Sequence, residues 1–300
     1  MVSLMFLHLS PIPRAILLAL IAYTGFSIAD AMAKFLLHTN SVPDVMFRSA
    51  GLACLACALW IFKAKGWRGF FPAKIKWHLA RGTSVCIIAF LCVTAFGKMP
   101  LPDFYAISFM SPFITAILAA LILKEPLVSH RMIAIGFGFI GIITVIFTDL
   151  SHMTDGVYYA LGAVIMMGFN ILIIRKIGPH EFLPLYGFFP FLFITIATAP
   201  MAIPHISMPE MTDVALYSFY AFCIFIGQIF ISLAFSTAPA AAVVSPFHYT
   251  QMLWGVFFGY VIFKTATTIP TLAGGTIIIL AGLYMILTEH WYQKSLKHNH

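Results

Sequence analysis

Long apolar runs separated by short polar clusters set the pattern of the chain. The run AILLALIAYTGFSIADAMAKFLL (15–37) is long enough to cross a bilayer as a helix, which takes roughly 20 residues. Comparable runs lie near 45–62, 80–97, 103–123, 131–148, 156–174, 182–203, 213–235, 240–263 and 269–288. Ten such spans occupy some 200 residues, roughly, and leave only short connections. Backbone polar groups in hydrocarbon must be paired within the chain, so runs of this length imply helices, not a barrel. The pattern therefore predicts an all-α integral membrane protein with ten transmembrane helices. The first run is too long for a signal peptide, and no small-residue cleavage site ends it.

One run departs from a plain helix. SPFITAILAALILKEP (111–126) has a proline at its head and a charge pair with a second proline at its foot. Glu125-Pro126 reads as a solvated turn that stops the helix, because the residue before proline is pushed out of the helical region. Ser111-Pro112 reads as an unwound point lining a cavity.

Composition strengthens this picture. The chain is 61% apolar and 9% charged, with a mean hydropathy of +0.98. A soluble domain would carry about 25% charged residues. Basic residues then orient the bundle. With the N-terminus inside, the inner loops and helix ends hold Arg14, Lys63, Lys65, Arg68, Lys74, Lys76, Arg81, Lys124, Arg131, Arg175, Lys176, Lys294 and Lys297. The outer side holds Lys98 and Lys264, and Lys34 and Arg48 lie within spans. That distribution places both termini in the cytoplasm. The net charge of +7 is thus a topology signal, and no soluble basic face exists for nucleic acid. Cys54, Cys57, Cys86, Cys92 and Cys223 all fall within spans and read as small buried hydrophobes. Cys54-x-x-Cys57 has no second pair or nearby histidine to complete a zinc site, and no metal or cofactor is expected.

A weak internal repeat divides the chain. At an offset of about 140 residues, set by the register, TAILAALILKEP (115–126) lies on GVFFGYVIFKTA (255–266). Thr115 and Ala119 fall on Gly255 and Gly259, a small-xxx-small pair in each half that lets helix backbones approach. A glycine-bearing span follows each segment, and GFSIADAMAKF (25–35) echoes GFNILIIRKI (168–177). The expected organisation is two five-helix units, 1–150 and 151–300, the second inverted because five is odd. Inverted repeats of this kind build secondary transporters.

These stretches resemble the EamA family of the drug/metabolite transporter superfamily. The resemblance rests on FRSAG (47–51), RGTSV (81–85), PDFYAISFMSPFITAILAALILKEP (102–126), SPFHYTQMLWGVFFGYVIFK (245–264) and TLAGGTIIILAG (271–282). It covers nearly the whole chain. Thr265 stands where the family carries an acidic residue at the foot of the ninth helix, so Glu125 lacks its counterpart. Within the family, DAMAKF, FRSA, RG and PFHYT look most like members named as carriers of S-adenosylmethionine or amino acids.

Polar groups inside spans are costly, roughly 2.5–3.5 kcal/mol for a centred charge, which makes each a functional candidate. Asp30 and Lys34 stand four apart on one helix face, and Arg48 lies one turn into the second span. Geometry allows an Asp30–Arg48–Lys34 cluster near the outer end of a cavity, as a solute contact; the alternative is an ion pair joining two helices, with Lys34 snorkelling to the interface. His248, Tyr249 and Gln251 follow Pro246 in span nine, with Trp254 a turn below. Their ring, imidazole and amide chemistry suits a small polar metabolite, although packing is the alternative. Ser108 and Phe109, with Ser111 and Pro112, are expected as the facing wall. Asn170 and Gln228 read as interhelical hydrogen-bonding groups.

The combined expectation is a secondary transporter moving a small polar metabolite by alternating access across a bacterial-type inner membrane. Its solute would be an amino acid, S-adenosylmethionine or similar, and the protein a monomer or weak homodimer. The alternatives are an intramembrane enzyme or a channel. No His-Glu-x-x-His, Gly-x-Gly-Asp or filter-like loop favours either. Uphill movement would draw on a gradient or exchange, since no ATP-binding loop is present.

Overall fold

The computed structural model describes residues 11–123, 129–147, 155–205, 211–238, 244–265 and 267–298. Every regular element among the described residues is helical. The α-helices are α1 (Pro11–Leu36), α2 (Val42–Lys65), α3 (Ile75–Lys98), α4 (Leu101–Ser108), α5 (Ser111–Leu123) and α6 (Ser129–Phe147). They continue with α7 (Gly156–Ile177), α8 (Leu185–Ala202), α9 (Met211–Thr237), α10 (Thr250–Val261) and α11 (Ile269–His298). Short 3₁₀ turns cover Gly66–Phe70, Ile203–His205 and Ser245–Tyr249. The Lys124-Glu125-Pro126 turn lies outside the described residues.

Local sequence sets the helix limits where caps are visible. Ser41 caps α2 by accepting the Asp44 amide at 3.4 Å, and Pro43 sits in the first turn, where no amide donor is needed. At the other end Gly66 leaves the helix with φ +60°, a region that favours glycine. Among the described residues, six segments are long and apolar enough to cross a membrane: Ile12–Leu36, Val42–Phe70, Ile75–Lys98, Gly156–Ile177, Leu185–Ala202 and Asp213–Thr237. Their outward faces and those of their neighbours expose large apolar side chains, among them Leu55, Leu59, Phe137, Phe222, Leu253 and Leu280. Lipid, not water, suits such a surface.

The fourth apolar run is broken, as its proline implies. α4 stops at Ser108 and α5 restarts at Ser111, with the Met110 amide donating to the Ile107 carbonyl at 3.1 Å. Pro112 has no amide to donate to the carbonyl four residues before it, at Ser108. The run around Pro246 likewise enters α10 through a 3₁₀ turn over Ser245–Tyr249.

Helices pair α1 with α9, α3 with α7, α2 with α8 and α6 with α11. Small residues allow the closest of these approaches. A Cβ on Gly25 would lie 3.2 Å from the Cys223 carbonyl and 3.4 Å from the Gly227 amide, so the α1 and α9 backbones nearly touch.

Candidate functional site

A cavity of about 220 Å³ lies between α1, α2, α3, α7, α8 and α9 and reaches the residues around both backbone breaks. Its wall is mostly hydrocarbon and aromatic. Polar groups enter it from several helices: Asp30 from α1, Ser49 from α2, Ser111 from α5, Asn170 from α7, Tyr220 and Gln228 from α9, and His248 and Gln251 near the second break.

Asp30 is the charged member of this lining. Its Oδ2 accepts a hydrogen bond from the Tyr105 hydroxyl at 2.8 Å, which links α1 to α4. Two turns back along α1, Tyr23 stacks on the His248 ring at 5.1 Å and 17°. Phe109 meets the same imidazole edge-on at 5.6 Å, and Gln251 is its polar neighbour. The break after α4 is what brings Phe109 to that position. Asp30 and Tyr23 are seven residues apart, so at 1.5 Å per residue the carboxylate and the stacked pair are separated by about 10 Å along the helix.

Asn170 and Gln228 change meaning in the structure. The sequence reads them as bonds between helices, yet Asn170 Oδ1 and Gln228 Nε2 have no hydrogen-bond partner among the described residues. Both residues line the cavity. A buried polar atom without a partner costs roughly 1–3 kcal/mol, so such atoms ordinarily meet water or a ligand.

The expected Asp30–Arg48–Lys34 cluster does not form. Arg48 Nε pairs with Asp44 Oδ1 at 2.8 Å, and its guanidinium lies 5.3 Å from the Tyr217 ring centroid. Asp44 stands one turn before Arg48 on the same helix, so the local carboxylate takes the cation. Tyr217 completes the group by donating to Asp44 Oδ2 at 3.1 Å. Lys34 instead donates to the Phe96 and Met99 carbonyls at 2.7 and 2.9 Å, capping the end of α3, where helix carbonyls lack donors.

The remaining sequence candidates pack beside the cavity and not in its described lining. Tyr249 meets Phe109 edge-on at 5.0 Å and covers Gly282 of α11, where an added Cβ would fall 1.7 Å from the Tyr249 hydroxyl oxygen. Trp254 stacks on Phe258 at 5.7 Å. Ser108 is fully buried and donates to the Tyr105 carbonyl at 3.0 Å. Phe109 is fully buried between His248 and Tyr249.

Sequence reasoning missed a second polar group, at the Ile75 end of α3. Arg81, counted above among the inner-end basic residues, is completely buried. Its Nη1 donates to the Tyr186 carbonyl, its Nη2 donates to Ser232 Oγ at 2.7 Å, and its guanidinium lies 5.4 Å from the Tyr186 ring centroid. The Tyr186 carbonyl is available because Pro190, four residues on, has no amide. That proline inside an apolar run was the signal in the sequence. Nearby, His78 Nε2 lies 3.9 Å from Glu181, and Lys74 donates to the Lys176 and Ile177 carbonyls at 3.0 and 2.7 Å. Together these contacts tie α3 to the turn between α7 and α8.

Known proteins match this build. An S-adenosylmethionine uptake transporter from Rickettsia prowazekii (strain Madrid E) is 26% identical over 292 residues, covering 94% of each chain. A pseudopaline exporter from Pseudomonas aeruginosa (strain UCBPP-PA14) is 21% identical, covering 91% of this chain and 96% of its own. A solved crystal structure shares the fold at a TM-score of 0.63 and 11% identity, covering 91% of this chain and 96% of that one. The EamA-like transporter family matches residues 13–147. The chain is thus a multi-pass membrane protein whose residues 13–147 match the EamA-like transporter family, and over most of its length it is similar to proteins named as transporters.

Proposed function

We propose that the protein is a secondary transporter that moves a small polar metabolite by alternating access through the central cavity. The observation that carries this reading is the cavity itself. It sits inside a membrane bundle, and it presents Asp30, His248 and the unpartnered polar atoms of Asn170 and Gln228 to whatever enters. His248, Gln251 and Asp30 contact the solute in this reading, together with Asn170 and Gln228. Phe109 holds the imidazole edge-on, while Tyr249, Ser108 and Trp254 pack outside the described lining. Arg48 acts through Asp44 and Tyr217 at the rim.

The bundle is read as ten spans in two inverted five-helix units, 1–150 and 151–300. Two features support that. The pairing of α1 with α9 and of α3 with α7 keeps its form when the halves are exchanged. A backbone break also occurs in the fourth span of each half. Both termini are read as cytoplasmic, in a bacterial-type inner membrane; the basic-residue bias supports that orientation, and in it the Arg81 group stands at the cytoplasmic gate. The relatives' names support a metabolite as cargo, with S-adenosylmethionine among the solutes to try first. Monomer or weak homodimer is the assembly expected.

Uptake of labelled S-adenosylmethionine and a panel of amino acids into vesicles containing the purified protein tests the reading. Saturable flux that unlabelled solute suppresses is expected. Flux without saturation favours a channel, and chemical conversion of the solute favours an enzyme.

A further inference from the structure

Among the described lining residues of the cavity, Asp30 is the formal charge, and neither lysine nor arginine lines it. The ion pairs formed elsewhere engage Arg48 with Asp44, His78 with Glu181 and Lys98 with Asp155. Asp30 therefore has no basic partner among the described residues. What holds it is a neutral donor, the Tyr105 hydroxyl at 2.8 Å. Tyr105 is itself fixed, with its ring at 5.9 Å from Phe104 and over Gly255 of α10, where a Cβ would come within 2.5 Å of it. The carboxylate is thus aimed by its surroundings and left without a counter-charge among the described residues.

The wall around it narrows the chemistry. Phe26, Phe96, Phe104 and Tyr220 line the same cavity. A carboxylate among aromatic faces in a largely hydrocarbon wall attracts a compact, weakly hydrated cation through Coulomb and cation–π terms together. An anionic solute would meet an unpaired carboxylate in a region of weak screening, and a neutral solute would leave that carboxylate unpaired. The His248–Tyr23 stack is about 10 Å away along α1, so the charged and planar parts of a solute would occupy different ends of the cavity.

We propose that Asp30 selects solutes carrying a fixed alkylated cation, a sulfonium or ammonium group, and that Tyr105 is the positioning residue that aims its carboxylate. This rests on the transporter reading above, and the test separates the two. Matched probes differ by one S-methyl group and the positive charge it brings: S-adenosylmethionine beside S-adenosylhomocysteine, and S-methylmethionine beside methionine. Binding to the purified full chain is measured by calorimetry. The parent should favour the sulfonium member of each pair by about tenfold or more, the scale of one hydrogen bond to a charged group. Asp30→Asn should erase that preference while still binding the thioether member, which shows that the variant is folded. Asp30→Glu should keep it in weaker form. Tyr105→Phe should weaken the sulfonium members several-fold and retain the preference.

A parent that binds both members alike or neither of them, or an Asp30→Asn protein that keeps the preference, overturns the assignment. An Asp30→Asn protein that keeps the preference but loses accumulation driven by a proton gradient puts the carboxylate on the proton's path instead. Charge-selective binding with no saturable vesicle flux sinks the transporter reading and leaves Asp30's role standing. Saturable flux without charge preference does the reverse.

Discussion

The buried Arg81 guanidinium donates to the Tyr186 carbonyl, the acceptor that Pro190 leaves without a helical donor. Its other arm reaches Ser232 at 2.7 Å, so one side chain joins α3, α8 and α9. Arginine suits this because its planar fork serves two acceptors at once, which a lysine ammonium on a longer flexible stem does less well. Arg81→Lys should therefore lower stability by about 1–3 kcal/mol, the scale of one lost charge-assisted hydrogen bond.

The same relationship makes a sharper forecast through Pro190. Pro190→Ala returns an amide to the Tyr186 carbonyl and gives Arg81 a competitor. The loss caused by Arg81→Lys should then shrink in the Pro190→Ala background. Unfolding of the four proteins in one detergent forms the cycle; strict additivity would show that the two residues do not share that carbonyl.

The pairing of Arg48 with Asp44 sets a second expectation. Asp44→Asn and Arg48→Gln should couple by roughly 0.5 kcal/mol or more, as residues in one network do. Asp30→Asn and Arg48→Gln should add within about 0.3–0.5 kcal/mol, as independent sites do. Strong Asp30–Arg48 coupling would contradict the geometry at the rim.

These contrasts mark what the sequence could and could not convey. Apolar length alone exposed the six long spans, and prolines exposed both backbone breaks, because each is a local property of the chain. Asp30 and His248 stood out because polar groups are costly in lipid. Side-chain direction was harder to read, since a helix buried in protein on one side and lipid on the other is apolar all round and carries no usable periodicity. Tyr249 and His248 are neighbours, yet a glycine on α11, at position 282, receives the tyrosine while the imidazole reaches the cavity. The partners of Lys34 are illegible for a related reason: they are carbonyls more than 60 residues away, and every residue has one.

Gly282 gives a third prediction. An alanine there would place its Cβ inside contact distance of the Tyr249 ring, and that ring is wedged against Phe109. Gly282→Ala should lower the melting temperature and the yield of folded protein, with a cost of about 1–3 kcal/mol for overpacking. Tyr249→Ala in the same chain should restore part of the loss by vacating the space. Full tolerance of Gly282→Ala alone would mean that Tyr249 and α11 are not held at this distance.

The final prediction separates His248 from Tyr249, which the sequence presents as equals. His248 lines the cavity and stacks on Tyr23, whereas Tyr249 packs between Phe109 and Gly282 of α11. His248→Ala should therefore weaken binding of a transported solute by about 1 kcal/mol or more, the scale of a lost hydrogen bond, with only a modest change in melting temperature. Tyr249→Ala should do the opposite. It removes a buried aromatic ring, at a cost of about 3–5 kcal/mol in the folded state, and the surviving folded fraction should bind solute with near-parental affinity. Affinity and thermal unfolding measured on the same preparations decide the matter. If Tyr249→Ala loses affinity at unchanged stability while His248→Ala loses stability at unchanged affinity, the roles are reversed and the solute sits behind the second backbone break, not in front of it.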